Sequence, residues 1–112
     1  MPKYTFVVFT NAVEGQDSEY NEWYDGTHVP DVLAVPGFVS ARRFKITGNE
    51  HGAVPPPGKY LALYDIETDD IERTMADLHG RAGTSAMLIS DTMGPERASM
   101  LYEAMTETVT QR

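Results

Sequence analysis

Tyr20, Trp23, Tyr24, Thr27 and His28 recur at i, i+3, i+4, i+7 and i+8, so in a helix they share one stripe. Histidine's unperturbed pKa lies nearest neutrality, which makes His28 the natural general base of this stretch. Tyr24, one helical turn earlier, can donate its hydroxyl to an anionic or enolate oxygen. The same stripe also suits a plain core face holding a satisfied histidine, with Tyr24 packing like any other aromatic. Pro30 argues against the plain version. It has no amide proton, and its ring clashes with the carbonyl four residues back, that of Gly26. The pattern therefore predicts a helix bent between Gly26 and Pro30, with His28 inside the bend. Asp25 either orients the imidazole or faces water, the ordinary state of a carboxylate on a surface turn.

Arg42 and Arg43 are adjacent, so a strand sends one guanidinium to each face. A buried guanidinium needs a carboxylate, a phosphate or a ligand anion as its partner. Strict alternation puts Arg42 with Phe38, Ser40, Phe44 and Ile46, in apolar surroundings, and leaves open which arginine faces the helices. His28, Tyr24, Arg42 and Arg43 are thus the catalytic candidates, and Trp23, Tyr20, Tyr64, Phe44 and His79 the candidate substrate contacts. His79 has an ordinary alternative, because the C-terminal end of a helix favours a positive side chain. His51 sits in a Gly- and Pro-rich loop and is expected in solvent. The three histidines lack H-x-H or H-x-x-x-H spacing, so no metal site is expected. Phosphate-cradling glycine loops and nucleophile elbows are absent too, and the expected cofactor is none.

These residues must be held by regular elements. Residues 3–10, KYTFVVFT, are β-branched or aromatic at nearly every position and read as a strand covered on both faces. A helix follows, capped by Asp17 or Ser18, with Glu19 and Glu22 favourable near its N-terminus, and running to about residue 34. Pro36 and Gly37 stop it. Residues 38–47 form a second strand, 48–58 a proline-rich loop, and 59–67 a third strand that is apolar on both parities. A second helix spans 68–80, where Asp69 and Glu72 resemble a capping box, Ile71, Met75 and Leu78 share a face, and Gly80 is the stop. Residues 84–90 could add a short third helix before a last strand at 97–109.

The order β-α-β-β-α-β is the ferredoxin-like pattern, an α+β fold with both helices on one face of an antiparallel sheet. Two strands are apolar on both parities, yet the helices cover only one face. The simplest second cover is another copy of the chain, so the sequence predicts one domain over residues 1–112 and an obligate homodimer packed sheet against sheet. Seventeen acidic residues against nine basic ones, a formal charge of -8, disfavour nucleic acid and anionic membranes as partners. No apolar run is long enough to cross a bilayer and no signal-peptide pattern opens the chain, so the expected location is the cytoplasm. With no cysteine, any chemistry must use His, Tyr, Arg or carboxylates.

The stretch holding Trp23, Tyr24, His28, Pro30 and Asp31, followed by Pro36, Gly37, Phe38 and a strand bearing Arg43, resembles the EthD-like branch of the dimeric α+β barrel superfamily. The resemblance is specific over residues 19–44 and topological elsewhere. It implies a homodimer whose two antiparallel sheets form a barrel, with a pocket between sheet and helices. Relatives in the wider superfamily include cofactor-free monooxygenases, polyketide cyclases, muconolactone isomerases and haem-degrading enzymes. The Asn, Trp and His arrangement of haem degradation is missing here. Some relatives transfer protons with a histidine and a tyrosine, to which the resemblance matches His28 and Tyr24. The residues themselves suit a cofactor-independent lyase, isomerase or hydrolase of aromatic, lactone or other carbonyl compounds, in which His28 moves a proton and Tyr24 or an arginine stabilises the oxyanion. The alternative is a non-catalytic ligand-binding or accessory protein of a catabolic pathway.

Overall fold

The computed structural model describes residues 1–49, 51, 52 and 54–112. Glu50 and Ala53, in the expected 48–58 loop, lie outside the described residues. Four strands, β1 (Lys3–Thr10), β2 (Phe38–Lys45), β3 (Tyr60–Glu67) and β4 (Ala98–Glu103), form one antiparallel sheet in the order β2-β3-β1-β4. The helical elements are α1 (Asp17–Trp23), a π-helical turn (Tyr24–His28), α2 (Val29–Leu33) and α3 (Ile71–Arg81). This is the ferredoxin-like α+β fold that the element order predicts. None of the described helices is long and apolar enough to cross a membrane.

β1 and β3 pair without a slip, Phe6 opposite Tyr64 and Val8 opposite Ala62, so residues of even number share one face. On that face Tyr60, Ala62, Tyr64 and Ile66 are buried together with Tyr20, Tyr24 and Val32 from the helical side. Each large side chain removed from water in this way contributes about 1.5–3 kcal/mol before the cost of ordering the chain. The odd residues Val7, Phe9, Leu61 and Leu63 occupy the other face and are only half-buried.

Strict alternation fails in β2. Phe38 pairs with Ile66, and Ser40, two residues on, pairs with the very next β3 residue, Asp65. This β-bulge at Val39 reverses the parity, so that Ala41 and Arg43 join Phe38 on the helix side while Ser40, Arg42 and Phe44 face outward. The expected common face of Phe38, Ser40, Arg42 and Phe44 is thereby corrected, and the inward arginine is Arg43.

The element ends also differ in detail. Neither Asp17 nor Ser18 caps α1, which begins at Asp17 after an uncapped Gln16; the Asp17 carboxylate instead accepts from Tyr60 Oη at 2.6 Å and Lys59 Nζ at 3.0 Å. These donors hold its carboxyl below the usual carboxylate range, the Tyr60 bond being the larger cause. Asp70, not Asp69, caps α3 by accepting from the Arg73 amide at 3.1 Å, and the helix continues through Gly80 to Arg81. Residues 84–90 are not helical. Thr84 Oγ1 donates to the Arg81 carbonyl at 2.6 Å and Ser90 bonds Thr92, so hydroxyls compete with a helical ladder and leave a chain of turns pinned by short bridges at Met87 and Met93. Gly37 adopts φ 102° in the turn after α2, where a Cβ would lie 3.1 Å from Thr74 Cγ2.

Candidate functional site

The bend expected between Gly26 and Pro30 is a widening of the helix. The Val29 amide reaches the Tyr24 carbonyl, five residues back, where an α-helix would use the fourth. Pro30 offers no amide to Gly26, and the wider turn absorbs that gap. Side chains five apart in an α-helix diverge by about 140°, but in a π-turn they come side by side. Trp23 and His28 are five apart, and their rings stack at 4.8 Å with 26° between planes. Tyr24 meets the same imidazole edge-on at 4.8 Å. The turn thus holds His28 from two sides.

His28, Tyr24 and Tyr64 lie on the wall of a cavity of about 650 Å³ between the sheet and the helical elements. Phe6 and Val8 of the sheet, Leu78 of α3 and the segment carrying Met87, Ile89 and Met93 complete its apolar surface. The Tyr64 hydroxyl donates to the Tyr24 oxygen at 3.0 Å, which leaves the Tyr24 proton for another acceptor. Burial pushes the Tyr24 phenol up to about 12, and also raises Tyr64, so both stay protonated at neutral pH. Burial likewise holds the His28 imidazole down at about 4; Asp31 opposes the shift and Arg43 adds to it. His28 is therefore a neutral imidazole at pH 7. Its Nδ1 is buried and has no hydrogen-bond partner among the described residues.

Arg43 stands behind this wall. Its guanidinium lies 4.2 Å from the Tyr24 ring centroid, within 5.6 Å of the Tyr20 ring, and donates to Asp25 at 2.8 Å and to Asn21 at 3.0 Å. Asp25 accordingly serves Arg43 and makes no hydrogen bond to the imidazole. Asn21 passes the network on to the Tyr60 hydroxyl at 3.3 Å, and Tyr20 is fully buried and bonded to Thr10. These contacts fix the back of Tyr24, whose front meets the cavity.

The structure thus brings His28, Tyr24, Tyr64 and His79 to the cavity, and puts Arg43, Tyr20 and Trp23 in the shell behind it. Arg42 and Phe44 do not join them. Both lie on the outward face, because the Val39 bulge turns them away. Sequence reasoning missed Met87, Met93 and Arg97 as cavity residues. For Met87 the signal was the apolar run in the 84–90 segment; Met93 and Arg97 lie beyond that run. No three His, Asp or Glu converge closely enough to hold a metal ion among the described residues.

No family model matches the sequence, and no curated protein matches it. Solved structures do. An EthD-like protein from Ralstonia eutropha JMP134 superposes with a TM-score of 0.67 at 17% identity, over 96% of this chain and 96% of that one. The fold is that of the EthD-like proteins. A dimeric ferredoxin-like protein of unknown function from Thermobifida fusca YX shares it at TM-score 0.56 and 12% identity, over 92% of each chain. So does the haem-degrader MhuD from Mycobacterium tuberculosis, solved with two haems in its active site, at TM-score 0.62 and 13% identity over 95% of this chain and 99% of that one. At such identities the shared property is the ferredoxin-like fold alone.

Proposed function

We propose that the chain is a small-molecule enzyme that moves a proton without a cofactor, acting on an aromatic, lactone or other carbonyl compound. The observation that carries the reading is a neutral imidazole beside a pair of protonated phenols on the wall of an apolar cavity. A carbonyl compound seated there would lose a proton from its α-carbon to His28. The resulting enolate oxygen would accept the Tyr24 hydroxyl, polarised by the Tyr64 bond and backed by the Arg43 charge. His28, now imidazolium, would return the proton to the same or another carbon, or to a leaving group, giving isomerase or lyase chemistry. Hydrolysis of a lactone would use the same groups, with His28 accepting from water.

The proposal includes a homodimer built from single domains of residues 1–112. Val7, Phe9, Leu61 and Leu63 form an apolar outer face, Phe44 is 39% exposed beside them, and the helical elements of the described residues pack on the opposite face. One structural relative is itself dimeric. A second copy laid sheet to sheet would supply the missing layer.

One observation favours a non-catalytic reading. An imidazole held at about 4 is a weak base, and a ligand-binding accessory protein would need no better. The two readings part in deuterium oxide. Incubation with a panel of cyclic ketones, lactones and hydroxyaromatic compounds, followed by proton NMR, should show enzyme-dependent exchange at the acidic carbon of at least one compound. His28→Ala should abolish it and Tyr24→Phe reduce it, with the circular dichroism spectrum unchanged. Compounds that bind without exchange or turnover, with affinity indifferent to His28→Ala, would leave the accessory reading standing.

A further inference from the structure

The cavity's polar lining is lopsided. The chain carries seventeen acidic residues against nine basic ones, yet among the described residues no Asp or Glu lines the cavity, while Arg97, His79 and His28 do. Arg97, just before β4, is exposed and makes no ion pair among the described residues; Arg43 and Arg81 by contrast pair with Asp25 and Asp77. Its Nη1 lies instead 3.1 Å from Met93 Sδ, so the guanidinium is held against a cavity residue with its remaining N–H groups uncommitted. His79, at the end of α3, adds an exposed imidazole to the same lining. The body of the cavity, Phe6, Val8 and Leu78, has no polar side-chain atom to offer, and Met87 adds only a thioether.

We propose that the site is specific for amphipathic monoanions: a compact apolar body seated over Phe6, Val8 and Met87, with one carboxylate or sulfonate held by Arg97 and hydrogen-bonded by His79. The proposal rests on the reading that this cavity is the working site, and adds its substrate class. A carboxylate offers two acceptor oxygens to the planar guanidinium fork, which makes Arg97 the residue that selects against neutral analogues. In an otherwise acidic protein this local positive group would also draw an anion to the cavity rather than to the general surface.

The test compares two fluorescent probes with the same skeleton, 1-anilinonaphthalene-8-sulfonate and its uncharged counterpart N-phenyl-1-naphthylamine. Each is titrated into the wild-type protein, Arg97→Gln, Arg97→Glu and His79→Gln. Proton–nitrogen spectra of the three histidines locate the bound probe. The sulfonate should bind about tenfold more tightly than the neutral probe and perturb His28 and His79 but not His51. Arg97→Gln should remove about that factor, Arg97→Glu more, and His79→Gln a smaller part, with neutral-probe affinity within twofold throughout. Equal affinities that ignore the Arg97 variants, with His28 still perturbed, would overturn the anion preference and leave the cavity as an apolar site. If neither probe perturbs His28, the cavity is not a binding site, and both this inference and the proposed function fall.

Discussion

Replacing His28 by Gln should change the pH dependence of stability by an amount the structure sets. Burial holds the folded-state imidazole at about 4, against an unperturbed 6.5. A depressed histidine has no effect well above 6.5, where both states are neutral. As pH falls through 6.5 the unfolded chain takes up the proton and the folded chain does not, so stability is lost until about pH 4, where the folded state protonates too. Between pH 7.5 and pH 5 this linkage costs about 2 kcal/mol. His28→Gln cannot titrate and is spared that loss. Urea unfolding of both proteins at the two pH values, at one protein concentration, isolates the contribution, because every other titrating group cancels in the double difference. The variant should gain about 2 kcal/mol relative to the wild type on acidification. A double difference near zero would mean that the imidazole titrates as in water, and the reasoning that makes it a buried neutral base would be refuted.

Three further outcomes are expected. Arg43→Met should destabilise by about 2 kcal/mol, since it removes two charge-assisted bonds and the contact with the Tyr24 ring, whereas Asp25→Asn, at a side chain 67% exposed, should cost under about 1 kcal/mol; equal costs in urea titrations would contradict the geometry. Gly37→Ala should lower the melting temperature by the equivalent of 1 kcal/mol or more, as about the least cost of a side chain at φ 102° against Thr74, while Gly26→Ala, with open space around it, should be neutral or slightly stabilising. Light scattering should find a dimer for the wild type at micromolar concentration and a monomer for Leu63→Glu, whose charge would sit on the outer sheet face; a monomeric wild type would end the two-sheet proposal.

The sequence by itself determined the order of the four strands and of the helices between them, apart from the short helix it suggested over 84–90, because each of those elements is declared locally, by β-branched runs, by the i, i+4, i+7 spacing of Ile71, Met75 and Leu78, and by Pro36 and Gly37. It also determined that something happens to the helix around His28, since Pro30 lacks its amide wherever the chain folds. Which groups meet there was decided elsewhere. A bulge at Val39 depends on how β2 registers against β3, a pairing between residues far apart in the chain, and it alone turned Arg43 toward Tyr24 and Arg42 away. The widened turn that stacks Trp23 on His28 depends on how the backbone absorbs the missing bond, which the sequence announces only as a bend. The segment after α3 contributes Met87, Met93 and Arg97 to the cavity because it runs as turns rather than a helix and is tied by bridges to Ala82 and, after β1, to Ala12, pairings that no local spacing announces. Local propensity names elements; register and long-range pairing choose which side chains share a cavity.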